Sequence, residues 1–572
     1  MGRHVFVAVI LAGVILIMSG MTEVTVHADT ENQKDNKVGL LTDPVLMNPE
    51  DSSVSVVWFT EEEGIDNVVI LFENGKNLPS TRSIKAETKL MSRLRGGKSK
   101  EDCNDPTIQT PIYRHEAVVS GLPKYHGASK ERVSYCVKSD NFRSGIFSLA
   151  AKAQPGTPMK ILLTSDMQSK PMCAANYTKV YETVGYVDAV LANGDVVDVI
   201  DRAYDWFYAD NAFFKILQGR GEDSALGTLY KGAPFLQNAP VYVSLGNHDY
   251  MGRYNNTDTL DAQFNNPAPD DFNRITWEEI FTMPDEWGSE NYYMTSMGDL
   301  GLITLDVNRP WRLSEVGIRG RYSELLDSTV DILGHGEFIF EPVSPGSRQY
   351  EFFEKSLASD TFTKAKYKMV MFHSPYSTLG RNGVHAFTDP VKKTVTDSLT
   401  GKSMDIFMYP RKDDQIEKYL VPMMEKSGVN ILFEGHTHIW NRFKTDKGLN
   451  VLETSNVGNS YGGFYDEKNS GDIKPFDENT RPDIPSVFMP ESERSNMREY
   501  WDINDFAIMG DLYGNEPEYP SQCALPDNKP YLASETITAF SVLDTGSGTI
   551  DSYYFDTSNP ESTVVKFDSF SL

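Results

Sequence analysis

The amino-acid sequence predicts a small all-β sandwich followed by an α/β domain of α+β character, with a mixed β-sheet core flanked by helices. Three observations carry this expectation. Residues 38–152 are dominated by short strand patterns bounded by turn residues. From residue 159 onward, apolar strand runs alternate with helical stretches. Between the two, residues 153–158 carry two prolines and a glycine, the composition of a linker.

At 572 residues the chain is too long for one hydrophobic core, so two or three domains are expected. It opens with Arg3 and His4, an apolar run from Val5 to Met18, and small residues around Ala28 where a signal peptidase would read. Residues 1–28 are therefore expected to be an export signal, leaving a secreted or cell-envelope protein. The run is short for a membrane span and no stop-transfer charges follow it. Residues 29–37 are polar, charged and without periodicity, as in a flexible leader.

In the β region, strands are expected at Val54 to Phe59, Asn67 to Phe72, Tyr113 to Val119, Arg132 to Val137 and Gly145 to Leu149. In the second region the strands fall at Ile161 to Leu163, Ala189 to Leu191, Val241 to Leu245, Leu302 to Leu305, Met369 to Phe372 and Asn430 to Phe433. Helices are expected near Tyr177 to Tyr186, Trp206 to Leu217, Gln349 to Leu357 and Ile416 to Lys426. Strands near Thr536 to Leu543 and Ser552 to Phe555 close the sheet. Long irregular insertions interrupt it near 308–347, 379–411 and 466–529, as lids or substrate-binding loops do.

The formal net charge of −27 argues against unspecific nucleic-acid binding, which relies on Lys and Arg. A phosphorylated substrate would need local positive charge, and bound metal ions supply it most directly. Four cysteines in an exported chain can pair in three ways. Cys103 with Cys136 and Cys173 with Cys523 keeps each pair within one region; free buried thiols are the alternative.

Five short segments share one position, directly after an apolar strand. They are Asp166-Met167-Gln168, Gly194-Asp195-Val196-Val197-Asp198, Gly246-Asn247-His248-Asp249, His373-Ser374-Pro375 and Gly435-His436-Thr437-His438. Carboxyl ends of parallel strands share one sheet edge, so these loops should converge. Asp, Asn and His suit a transition metal, and glycine lets the backbone turn sharply beside them. Each segment alone has an ordinary explanation as a turn, a cap or a structural histidine. Their ordered combination, with four of the ten histidines, points to a metal site.

In this order the segments resemble the calcineurin-like metallophosphoesterases, whose pattern is D-x-H, G-D-x-x-D, G-N-H-D/E, a lone His and G-H-x-H. The resemblance spans about Lys160 to Gly463, and a β-sandwich ahead of it is similar to the purple-acid-phosphatase-like branch with its fibronectin-type domain. It implies two divalent or trivalent metal ions, Fe, Mn or Zn. Asp166, Gln168, Asp195 and His438 would face the first ion, and Asp195, Asn247, His373 and His436 the second. His248 and Asp249 are the implied catalytic residues, with Asn247 and His248 toward substrate; His385 is added on the substrate side from its own position, in the insertion that follows His373. Gln168 replaces the usual His and offers only an amide. Asp198 stands where the purple enzymes place a tyrosine ligand, so the iron(III)–tyrosinate chromophore should be absent. The resemblance implies a phosphate-monoester hydrolase acting on a small phosphorylated molecule. Alternatives are a phosphodiesterase or nucleotidase, and a surface binding protein with a degenerate phosphatase domain.

Overall fold

The computed structural model describes residues 39–72, 82–105, 107–224, 227–250, 274–285, 287, 290–308, 341–376, 378, 387–388, 391–396, 403–408, 411–455, 457–458, 460, 531–559 and 561–572. The expected export signal, the leader, His385, Cys523 and most of the three insertions lie outside them. Part of the 379–411 insertion is not irregular: Val391–Thr396 and Ser403–Met408 form an antiparallel hairpin.

The fold is mixed α/β, with large mixed sheets, few helices and an all-β region in front. A ten-stranded sheet runs, edge to edge, through Val565–Ser571, Thr549–Asp556, Ile537–Asp544, Lys160–Thr164, Ala189–Asn193, Pro240–Ser244, Val45–Glu50, Ser53–Thr60, Tyr113–Ser120 and Glu87–Leu90. A seven-stranded sheet follows the order Met294–Met297, Leu300–Thr304, Tyr367–Met371, Ile431–Glu434, Asn450–Thr454, Trp440–Lys444 and Tyr531–Leu532. Within the first, the strands at Lys160, Ala189 and Pro240 are parallel neighbours. Within the second, the strands at Leu300, Tyr367, Ile431 and Asn450 are likewise parallel.

Side-chain alternation explains the layering, because successive residues of a strand point to opposite faces. Leu302, Met369, Met371, Ile431 and Phe433 enter the main core with Leu162, Val190 and Tyr242 of the ten-stranded sheet. Their neighbours Ile303, Val370, Phe372 and Leu432 turn to a second core with Phe352, Phe353 and Leu420. Helix Arg348–Ala358 supplies those phenylalanines, and its Ser347 hydroxyl caps the first turn by accepting from Tyr350 N at 3.2 Å. In Ser53–Thr60, Val54, Val56 and Trp58 face a third core. A five-stranded sheet built around Asn67–Phe72 and Val133–Ser139 closes that core from the other side.

The leading β region is joined to the α/β sheet by strand pairing. Val45–Glu50 runs parallel to Pro240–Ser244, with Leu46 opposite Pro240 and Met47 opposite Val241. Tilted aromatic contacts reinforce the join, with Phe59 within 5.2 Å of Phe207 and 5.1 Å of Phe214, centroid to centroid.

Two expected helices take a different form. Trp206 to Leu217 is broken into a wide turn, Tyr204–Tyr208, and a short helix, Phe213–Leu217. The break brings Trp206, Phe207 and Phe214 into one aromatic cluster. Ile416–Leu420 is also a wide turn, followed by helix Val421–Lys426. Pro422 has no N–H to give to the preceding turn, which therefore opens.

The expected cysteine pair Cys103–Cys136 is not formed: Cys103, Cys136 and Cys173 are free and buried. Cys103 Sγ donates to Lys100 O at 3.2 Å, whereas Cys136 Sγ accepts from Arg143 Nε at 3.0 Å. Unfolding under non-reducing conditions should therefore expose these three thiols to alkylation, while the native protein protects them. Mass spectrometry checks this; an alkylation-resistant Cys103 or Cys136 in the unfolded chain would restore the bridge. No helix of the described residues is long and apolar enough to cross a membrane.

Candidate metal centre

Strand order assembles the five segments at one place. Asp166 follows the Lys160 strand, Asp195 the Ala189 strand, Asn247 the Pro240 strand, His373 the Tyr367 strand, and His436 and His438 the Ile431 strand. Asp166, Asp195 and His438 offer one ligand atom each, all within 4.8 Å of one another. Asp195, His373 and His436 form a second such group, so Asp195 is common to both. All five side chains are buried.

The loops need unusual backbone. Asp166 (φ 54°), Gln168 (43°), Ser169 (51°), Asp195 (52°), His436 (80°) and His438 (59°) all occupy the left-handed region. Only Asn48 and Asp140 join them among the described non-glycine residues, so this conformation is concentrated at the site. The motif glycines serve close approach. A Cβ on Gly194 would stand 2.6 Å from Gly246 N and 2.7 Å from His373 Nδ1; one on Gly246 would collide with Asp195 N and Oδ1. Gly435 has Ser165 Oγ, and then Asp166 Oδ2 at 2.9 Å, in the same position.

Asn193, which the sequence reading passed over, ties the strand ends together. Its amide donates to Phe372 O and Phe433 O, both at 2.9 Å, and its Oδ1 accepts from Ser244 Oγ at 2.6 Å. Its main-chain oxygen meets Ser165 Oγ at 2.7 Å and His373 Nδ1 at 2.7 Å. That last contact requires the His373 proton on Nδ1, which aims Nε2 at the carboxylates. Nε2 lies 3.3 Å from Asp195 Oδ2 and 3.7 Å from Asp166 Oδ1, yet makes no well-formed hydrogen bond. An orphaned, fully buried imidazole nitrogen facing two carboxylates is what a metal position demands.

Glu453 is a second anchor not recognised from sequence. It accepts from Thr437 N at 2.9 Å, Ser455 Oγ at 2.7 Å and Asn441 Nδ2 at 2.9 Å, fixing the loop between His436 and His438. Burial pushes its carboxyl up to about 7. Burial would also raise the Asp195 carboxyl, but the His373, His248 and His436 imidazoles hold it well below the usual range. For His373, burial disfavours the charged form, while Asp195 and Asp166 outweigh it and raise the imidazole to about 10. The pocket's own field thus calls for a cation between these groups.

The remaining expected residues are placed as follows. Asn247 Oδ1 lies 2.7 Å from His436 Nδ1. Gln168 stands beside the ligand groups, its Nε2 donating to Asp195 Oδ2 at 3.0 Å, as a brace on that carboxylate. Asp249 is fully buried and accepts from Asp195 N at 2.9 Å and Gly246 N at 2.7 Å. Those bonds make it a clamp between two loops. His248 N donates to Asp195 Oδ1 at 2.8 Å; its Nδ1 lies 2.7 Å from Asp198 O, leaving Nε2 3.8 Å from Asp195 Oδ2.

Residues 159–440 match the family described as calcineurin-like phosphoesterase. The matched stretch is just under half of the chain, and over it the chain is similar to the calcineurin-like metallophosphoesterases. That family implies a dinuclear metal site, and the Asp and His groups fit it. No curated protein matches significantly. Among solved structures, the chain is similar to purple acid phosphatase PPD1 from yellow lupin (Lupinus luteus) seeds, at 14% identity and TM-score 0.49, over 92% of this chain and 73% of that one. It is similar to PhoD at 11% identity and TM-score 0.46, over 94% and 91%. A dimetal phosphatase from Danio rerio aligns at 10% identity and TM-score 0.31, over 72% and 99%.

Proposed function

We propose that the protein is a secreted dinuclear-metal phosphoesterase of acid-phosphatase type, hydrolysing phosphate monoesters of small molecules. The observation that carries this reading is the pair of ligand groups sharing Asp195, with His248 beside them. When bound, two ions of Fe, Mn or Zn would supply Lewis acidity and an activated water. Asp166, Asp195 and His438 would hold one ion, and Asp195, Asn247, His373 and His436 the other.

The chain's own residues do the rest. Asp198 O accepts the Nδ1 proton of His248, so Nε2 carries the second proton only when the ring is charged. In that form Nε2 donates to a phosphate oxygen or passes its proton to the departing alkoxide. Asn247 contributes an amide beside His436 that orients the phosphate. In the export reading, the mature chain begins near Asp29, and the sandwich, of fibronectin type, braces the catalytic domain.

The test is hydrolysis of matched phosphomonoesters, phosphodiesters and nucleotides by protein loaded in turn with Mn, Fe and Zn. Monoesters should give the highest kcat/KM. A diester or nucleotide preference would redirect the assignment within the same site; no hydrolysis with any metal would leave a binding protein. N-terminal mass analysis of protein recovered outside cells checks the export reading, and a retained Met1 would sink it.

Position 168 gives a separate measurement. Gln168→His exchanges an amide donor for an imidazole beside Asp195, and imidazole is the stronger transition-metal ligand. The chelator concentration that half-inactivates the enzyme should rise, with metal content following it. Identical titrations in two well-folded proteins would show that this side chain does not reach the ion.

A further inference from the structure

The leading β region touches the phosphoesterase domain at a point two side chains removed from Asp195. Arg95 N donates to Asp201 O at 2.7 Å, and Ala203 N returns a bond to Arg95 O at 3.0 Å. This lays the loop of residues 95–105 along the segment that follows Asp198. Between them is a small cleft lined in part by Arg95, Cys103, Asn104 and Arg202.

Arg202 spans this junction with all three of its nitrogens engaged. Nε donates to Asp205 Oδ1 at 2.9 Å and Nη2 to Asp205 Oδ2 at 2.6 Å, a fork that locks the guanidinium plane. Nη2 also reaches Asp198 Oδ2 at 3.2 Å. Nη1 donates to Asn104 Oδ1 at 2.7 Å, across the junction. Asp205 itself is tied to the loop, its Oδ2 accepting from Val199 N at 3.2 Å. Asp198 then meets His248 twice, by its main-chain oxygen at 2.7 Å from Nδ1 and by its carboxylate at 3.6 Å.

We infer that Arg202 is a positioning residue that holds Asp198, and through it the His248 ring, and that Asn104 makes the leading β region part of this support. The inference rests on the proposed role of His248. A flexible ammonium cannot replace the fork, because Asn104, Asp198 and Asp205 must be met in one plane. Lys170 also lies near Asp198, but its Nζ is 3.8 Å from Oδ1, too far to carry the load alone.

The experiment is a double-mutant cycle on the metal-loaded, full-length protein. Arg202→Lys should lower kcat for a poor-leaving-group phosphomonoester about tenfold, the scale of a lost charge-assisted contact. Asn104→Ala, at an exposed side chain, should lower it about threefold by the same route. Metal content and thermal midpoint should stay near wild type in both. In a His248→Ala background each substitution should change kcat less than about twofold, because the group being positioned is gone. A downfield proton resonance of the His248 ring, identified by its loss in His248→Ala, should broaden or vanish in Arg202→Lys.

Equal losses with and without His248, or metal loss in parallel with activity, would overturn the inference while leaving the phosphoesterase reading intact. An unaffected Asn104→Ala would remove the β region from the support. Full activity in His248→Ala would overturn both the role of that histidine and this inference.

Discussion

His248→Ala is expected to lower turnover about 10²- to 10⁴-fold, the range for removing a general acid, with metal content unchanged. The expectation follows from two contacts. The His248 main chain is held by Asp195 Oδ1 at 2.8 Å, a bond that alanine keeps. Its ring is held by Asp198 O at 2.7 Å, outside the two ligand groups. The substitution thus removes a proton donor without removing a ligand. Metal analysis beside steady-state kinetics decides the matter, and simultaneous loss of metal and rate would make His248 a ligand. The loss should be deepest for esters with basic leaving groups, which depend most on protonation.

Gly246→Ala should destroy the centre more completely than any single ligand change. Its φ of −110° suits any residue, so space alone selects glycine here. An added Cβ would collide with the main-chain nitrogen and the carboxylate oxygen of Asp195, the residue common to both groups. The clash cannot be relieved by rotating a flexible side chain, and overpacking of this kind costs about 1–3 kcal/mol. Bound metal and activity should both fall to background, with a lowered unfolding midpoint. Gly156→Ala is the contrast: its φ is +86° with nothing within 4 Å, so about 1–2 kcal/mol of strain should leave metal and activity in place. If Gly246→Ala keeps a full metal complement, the loops are looser than their packing indicates.

Much of this site could be anticipated because apolar strands announce their own ends. The runs before Asp166, Asp195 and His373 are buried on both faces, so their periodicity and length place the loops that follow. Asn67–Phe72 falls where its β-branched run begins and stops. The pattern fails where burial depends on a distant partner. Trp440–Lys444 hides Asn441 and Arg442, whose polarity alone would put them at the surface; Glu453 satisfies the first and Asp568 the second, at 2.9 Å and 2.8 Å. Val45–Glu50 is interrupted by Asn48 at φ 42° and by Pro49, so its pairing with Pro240 leaves no local signal. Asn193 and Glu453 escaped notice for the same reason, since their importance lies in whom they reach. The cysteines show the converse: proximity in sequence region suggested a bridge that side-chain placement does not make.

The parallel pairing of Val45–Glu50 with Pro240–Ser244 bears on how this polypeptide can be divided. The loop at 153–158 marks a change of composition, but it is no place to cut. A fragment beginning there would present the Pro240 strand as a bare rim of unpaired amides and carbonyls, the kind of border that recruits other chains. It would also lose the Asn104 contact to Arg202. The β region is thus bound to the catalytic half as a keel is to a hull: grafting in a foreign sandwich would require recreating one strand register, and shortening the protein would leave that rim open to pairing with other chains.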